Sequence, residues 1–123
     1  APPAMAHQDP LELLRTQPLL RYDRTLGGGR KADRFLRHHG VVPRERFELS
    51  SLQAIAMMVS EGLGVSLVPD IDSPLIGGLN VTRLPVQDLE EPWRYGVLWR
   101  RGGARSRLVA AFVEQVQAHQ RAA

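Results

Sequence analysis

Phe47-Glu48-Leu49-Ser50-Ser51-Leu52-Gln53-Ala54-Ile55-Ala56-Met57-Met58-Val59-Ser60-Glu61-Gly62-Leu63-Gly64-Val65-Ser66-Leu67-Val68-Pro69 changes its period twice within one stretch. Phe47-Glu48-Leu49 alternates and reads as a short strand. Ser50 or Ser51 supplies a hydroxyl to cap a helix over Leu52 to Glu61. Leu52, Ile55, Ala56 and Val59 repeat at helical spacing and define its buried face, with Met58 as gap filler. Gly62-Leu63-Gly64 ends the helix and turns the chain. Val65-Ser66-Leu67-Val68 then reads as a buried strand that Pro69 stops.

The same alternation extends outward. Asp9 and Pro10 open a short helix to Arg15 after an extended, proline-rich lead-in. Gln17-Pro18 breaks it. Leu19-Leu20-Arg21-Tyr22 is a strand candidate, and Asp23 to Gly29 a loop of turn formers. Ala32, Phe35, Leu36 and His39 share one face of a predicted helix from Arg30 to His39, and Gly40 fits its C-terminal cap. Further on, Asp72-Ser73-Pro74 and Gly77-Gly78 frame a loop, and Val81 to Leu84 is a strand candidate. Trp93 to Arg101 alternates, with Trp93, Tyr95, Val97 and Trp99 on one side. A final helix from Arg105 to His119 stacks Leu108, Phe112 and Val116 at four-residue spacing. Strands that alternate with helices predict βαβ units: an α/β fold with a mostly parallel sheet flanked by helices.

Composition removes several function classes. The chain has 123 residues, 43% hydrophobic and 24% charged, which suits one soluble globular domain. It has no cysteine, so disulfides and thiolate metal sites are excluded and a reducing compartment is allowed. No apolar run is long enough to cross a bilayer, and Ala1 to Gln8 does not have the form of a secretory signal. The net charge of +3 comes from arginine, clustered at Arg21 to Arg37 and Arg94 to Arg107. Few aromatic residues interleave with these cations, so they read as solvated faces and not as a base-stacking surface. His38 and His39 are neighbours on a helix and point about 100° apart, a poor metal pair. Neither Ser50-Ser51 nor Ser66 sits in Gly-x-Ser-x-Gly, and no carboxylate pair is placed for acid/base work, so the chain reads as no enzyme. Gly27-Gly28-Gly29 lacks the lysine and Ser/Thr of a phosphate-binding loop, and no cofactor is expected.

The quoted stretch resembles the effector-binding domain of LysR-type transcriptional regulators. Val59-Ser60-Glu61-Gly62-Leu63-Gly64 followed by Val65-Ser66-Leu67-Val68-Pro69 fits the family's helix end and strand position by position. Pro18 to Tyr22 is similar to the first strand of that domain's second lobe, and Phe35 to Pro43 to its next helix and turn. Trp93 to Arg101 and Leu108 to Val113 resemble the returning strand and final helix. The resemblance implies a Rossmann-like lobe of a type 2 periplasmic-binding-protein-like fold. Residues 1–90 would form the second lobe. Residues 91–123 would form a hinge strand and helix that pack on a first lobe outside this sequence. It implies a cytoplasmic parent that binds DNA through an N-terminal helix-turn-helix, with no membrane partner. Without the first lobe, Trp93, Tyr95, Trp99, Leu108, Phe112 and Val116 need cover. A second copy of the chain is the expected cover, through Trp93 to Arg101 and the last helix.

The resemblance also locates the effector. Ligands in open α/β sheets lie beyond the carboxyl ends of the strands, where helix N-termini favour anions. Three loops meet that description. The first, Tyr22 to Gly29, carries Tyr22, Arg24, Thr25, Leu26 and Gly27; its glycines free the backbone to approach a ligand, and the Arg24 guanidinium and Thr25 hydroxyl are its polar groups. The second is Ser50, Ser51 and Leu52, where one serine must cap the helix. The third is Pro69 and Asp70. The expected partner is a small-molecule effector, an organic acid among the candidates, bound weakly by one lobe alone. A lobe of a transport-type solute-binding protein is the alternative, and an unrelated α/β enzyme stands third.

Overall fold

Leu19 and Leu20 point to opposite faces of one strand, and each is almost completely buried. That pair explains the layering of the N-terminal unit. The structure is a computed structural model that describes residues 1–87, 97–100 and 102–122. Strand β1 runs over Pro18–Tyr22 and pairs in parallel with β2, Arg44–Leu49. Between them the chain crosses over through helix α2, Gly27–His38. After β2 it forms helix α3, Leu52–Ser60, and returns to the other edge of β1 at Val65. The Val65 N–H donates to the Pro18 carbonyl at 2.9 Å, and the Leu20 N–H donates to the Val65 carbonyl at 2.9 Å. β1 is therefore central, with β2 on one side and Val65 on the other.

The two crossovers run in opposite directions across the sheet, which sends α2 and α3 to opposite faces, as right-handed connections require. The Leu19 face packs Leu13, Leu14, Phe35, Leu36, Val41 and Val65 together. Leu13 and Leu14 come from helix α1, Pro10–Thr16, whose start is capped by Asp9 accepting from the Glu12 N–H at 2.9 Å. The Leu20 face packs Ile55 and Val59 of α3, with Leu49, Met58 and Val81 around them. Full burial of each such side chain is worth about 1.5–3 kcal/mol, so these two small cores hold the layers on the strand.

Several expectations need correction. The Gly27-Gly28-Gly29 stretch is the first turn of α2 and not a loop, because the helix start packs where only glycine fits. The Val65 to Val68 strand is reduced to a single bridge. The Leu20 carbonyl, which the next rung would use, accepts the Ser66 hydroxyl at 2.6 Å. Val81 to Leu84 forms no regular strand either, and Thr82 instead exchanges two backbone hydrogen bonds with Ala1. The loop expected around Ser73 contains a short helix α4, Pro74–Gly77, with Ser73 as its cap. The extended lead-in holds a 3-10 turn, Pro3–Met5. The sheet is thus parallel as expected but smaller.

The chain divides into Ala1–Glu90 and a second unit, Glu91–Ala123. Of the strand expected over Trp93 to Arg101, residues 93–96 and 101 lie outside the described residues. Residues 97–100, which are described, form no strand. Helix α5, Ser106–Ala122, is the main element of this unit and begins one residue later than its expected start. Leu108 and Phe112 on α5 are 69% and 59% exposed.

Candidate functional site

The carboxyl ends of β1, β2 and the Val65 segment lie on the same side of the sheet, because all three run parallel. The chain leaves β1 toward β2 and later returns on the far side, so β1 and Val65 flank the point where strand order reverses. Ligands of open α/β sheets occupy such switch points.

The β1 exit is built from its own side chains. The Asp23 carboxylate accepts from the Thr25 N–H and the Thr25 hydroxyl, both at 2.7 Å, an Asx turn that an Asp-x-Thr spacing favours. The Asp23 carbonyl accepts from the Leu26 N–H at 3.0 Å. α2 then begins at Gly27 with Leu26 at its N-cap and no side-chain cap. The first N–H groups of a helix have no intrahelical acceptor. Here none comes from the capping side chain, since leucine has no acceptor. Gly28 and Gly29 are buried. A Cβ on Gly28 would lie 2.6 Å from the Tyr22 ring and 2.7 Å from the Pro69 ring, and one on Gly29 would overlap the Asp23 carbonyl. The glycines therefore draw Tyr22, α2 and Pro69 together at one place.

The β2 exit has a side-chain cap. Ser51 caps α3, accepting from the Ala54 N–H at 3.2 Å, while Ser50 is exposed beside it. Leu52 is half-buried as the first helical residue. At the third loop Asp70 is exposed and paired with Arg83 at 3.2 Å.

Arg24 is placed differently from the sequence expectation. One Glu48 carboxylate accepts three hydrogen bonds from this residue: from the backbone N–H at 3.0 Å, from Nε at 3.1 Å and from Nη2 at 2.9 Å. The guanidinium is thus already held by an internal carboxylate. Hydrogen bonds from Arg24 hold the Glu48 carboxyl down at about 2, and Glu48 in turn raises Arg24 above its ordinary value. Arg21, nearly buried on β1, pairs with Asp33 of α2 and with Glu45 of β2, the latter at 2.6 Å. Burying that arginine requires both partners, because an unpaired charge there would be strongly destabilising. Arg21 is therefore structural.

The structure thus brings Tyr22, Gly28 and Pro69 together, and sets Thr25, Leu26 and Gly27 on the turn above them. Sequence reasoning missed Glu48; it placed Asp23 and Gly28 on the first loop without their particular contacts. The Asp-x-Thr spacing and the glycine run were visible signals for those contacts. Glu48 lies 24 residues from Arg24 and gave no local signal. Among the described residues no group of three His, Asp or Glu stands ready to hold a metal ion, and no helix is long and apolar enough to cross a membrane.

The first unit is thus an α/β arrangement with one glycine-packed helix start at the carboxyl edge of a small parallel sheet. The chain's sequence matches the family described as LysR substrate binding domain over residues 1–121. The chain belongs to that family. Among known proteins it is similar to the HTH-type transcriptional regulator CzcR of Bacillus cereus (strain ATCC 10987 / NRS 248), 36% identical over 59 residues. That stretch is 48% of this chain and 20% of the relative. The proteins of the same name from Bacillus thuringiensis subsp. konkukian (strain 97-27) and Bacillus thuringiensis (strain Al Hakam) match over the same extent, at 36% identity. The match therefore spans about a fifth of the length of these regulators. No solved structure matches the chain significantly.

Proposed function

We propose that this chain is the ligand-sensing second lobe of a LysR-type, DNA-binding transcriptional regulator. The observation that carries the reading is the family match across 1–121, which covers both units and the whole candidate site. In this reading residues 1–90 form the lobe. Residues 91–123 form the strand and helix that return to a first lobe encoded elsewhere in the parent. The two lobes share a type 2 periplasmic-binding-protein-like fold, with the effector in the cleft between them.

The site residues in this reading are Tyr22, Arg24, Thr25, Leu26, Gly27, Ser50, Ser51, Leu52, Pro69 and Asp70, with Gly28 beside them on the first loop. The uncapped glycine start of α2 favours an anionic group, so a small organic acid is the preferred effector. Arg24 contributes through its place on the loop, since its guanidinium is engaged by Glu48. Effector binding would shift the angle between lobes, and so the arrangement of DNA-binding domains in a cytoplasmic homo-oligomer, through differential affinity for two states. The exposed Leu108 and Phe112 on α5 support an oligomer contact there. No catalytic step and no cofactor is part of this proposal.

The reading is tested by the reading frame upstream of Ala1. A helix-turn-helix followed by another α/β half-domain is expected. A secretory signal in its place would overturn it in favour of a transport-type solute-binding protein. The relatives' names give no support to that alternative, because they are regulators.

A further inference from the structure

Resting on the effector site proposed above, we propose that Glu48 is a positioning residue for that site. It acts through Arg24, and it ties the loop that leaves β1 to the end of the edge strand β2. The geometry is specific. A carboxylate that served only as a counter-charge would meet the guanidinium alone. Glu48 also takes the backbone N–H of Arg24 at 3.0 Å. It therefore fixes main chain as well as side chain, one residue after Asp23 and two before Leu26. The Asx turn of Asp23 holds the next N–H, at Thr25, and the Asp23 carbonyl holds the N–H of Leu26. Every backbone N–H from Arg24 to Leu26 thus has an acceptor, and Glu48 supplies the one that does not come from the loop itself.

The partner strand is suited to this task. The parallel ladder extends past β1 through the Asp23 N–H, which donates to the Leu49 carbonyl at 2.9 Å. Glu48 is therefore carried into position by the ladder. A second carboxylate on the strand, Glu45, stands 3.9 Å from Arg24 and also holds the buried Arg21. The loop then rests on a strand that is itself anchored to α2 through Arg21 and Asp33.

Two variants separate positioning from charge. Glu48→Gln keeps an oxygen that can accept from the Arg24 N–H and loses the ion pair. Glu48→Ala loses both. Each is compared with the unaltered chain by amide hydrogen exchange at Arg24 and Leu26, and by benzoate titration followed at the Gly27, Gly28 and Ser51 amides. The expected result is faster exchange at Arg24 in Glu48→Ala by about three- to tenfold, the range of one lost hydrogen bond. Benzoate should weaken by about threefold or more in the same variant. Glu48→Gln should stay within about twofold of the unaltered chain on both measures. Urea unfolding midpoints of all three chains should remain close, because Glu48 is on the surface.

Unchanged exchange at Arg24 in Glu48→Ala would overturn the proposal. So would equal losses in both variants, which would mean that charge alone matters. If benzoate leaves the unaltered chain undisturbed, the carboxylate reading of the effector falls. The exchange comparison still decides the role of Glu48.

Discussion

The two helices that leave β1 and β2 begin in opposite ways. α3 starts with Ser51, whose hydroxyl accepts from the Ala54 N–H and so supplies one acceptor to its first turn. α2 starts with Leu26 and three glycines and has no side-chain cap. Its first turn is pressed against Tyr22, Asp23 and Pro69 so tightly that a single methyl group would collide. One start has a side-chain cap. The other has no side-chain cap and begins with residues that carry no side chain. Under the function proposed above, that contrast makes the start of α2, and not that of α3, the one suited to a ligand.

The largest expected effect breaks the uncapped start. Gly29→Ala forces a methyl into the Asp23 carbonyl and should cost about 3 kcal/mol or more in urea unfolding, at the top of the overpacking range. Gly77→Ala, with nothing within 4 Å of its new methyl group, is the control and should change stability by no more than ~1 kcal/mol. Equal effects at the two positions would mean that the glycine packing does not matter.

Next in size is the capped start. Ser51→Ala should lower stability by about 1 kcal/mol. Leu26→Ser sharpens the comparison from the other side, because it gives α2 the cap that α3 already has. Leu26 is half-buried in an extended conformation suited to a cap. The gain of a cap and the loss of apolar contact should nearly cancel, within about 1 kcal/mol. Benzoate-induced shifts at Gly27 and Gly28 should nevertheless shrink, since the serine oxygen would compete for the same N–H groups.

The smallest effect is on pH. Arg24 holds the Glu48 carboxyl at about 2 against an ordinary 4.5. A depressed carboxyl contributes stability that is fully present above 4.5 and lost as pH falls toward 2. The pair is exposed, so the contribution is small. Its clearest trace is the Arg24 amide resonance, which should keep its neutral-pH position well below 4.5 and move with a midpoint at about 2. A midpoint at 4.5 would show that the pair does not form in solution.

The capped start was legible in sequence. Ser50-Ser51 before Leu52, Ile55 and Val59 carries both the cap and the buried face, and α3 ends one residue short of its expected end. The uncapped start was not legible. Glycine disfavours helices by about 1 kcal/mol per residue, so Gly27 to Gly29 reads locally as loop. Tertiary packing against Tyr22 and Pro69 reverses that preference. Hydrophobicity suggested a strand over Val65 to Val68, but only the Val65 bridge forms, because the Ser66 hydroxyl takes the next acceptor. Arg24 does lie on the loop that leaves β1, as the spacing suggested. Its engagement by Glu48 depends on the parallel register of β1 and β2, which no local pattern encodes.

A small acid bound at the carboxyl edge of the sheet, at the start of α2, would make this helix start a sensor. Titration of the isotope-labelled chain with benzoate, read at every backbone amide, decides whether one binds there. Weak binding is expected, with the largest shifts at Thr25, Leu26, Gly27 and Gly28 and smaller ones at Ser50 and Asp70. Shifts confined to α5, or no shifts at all, would contradict it.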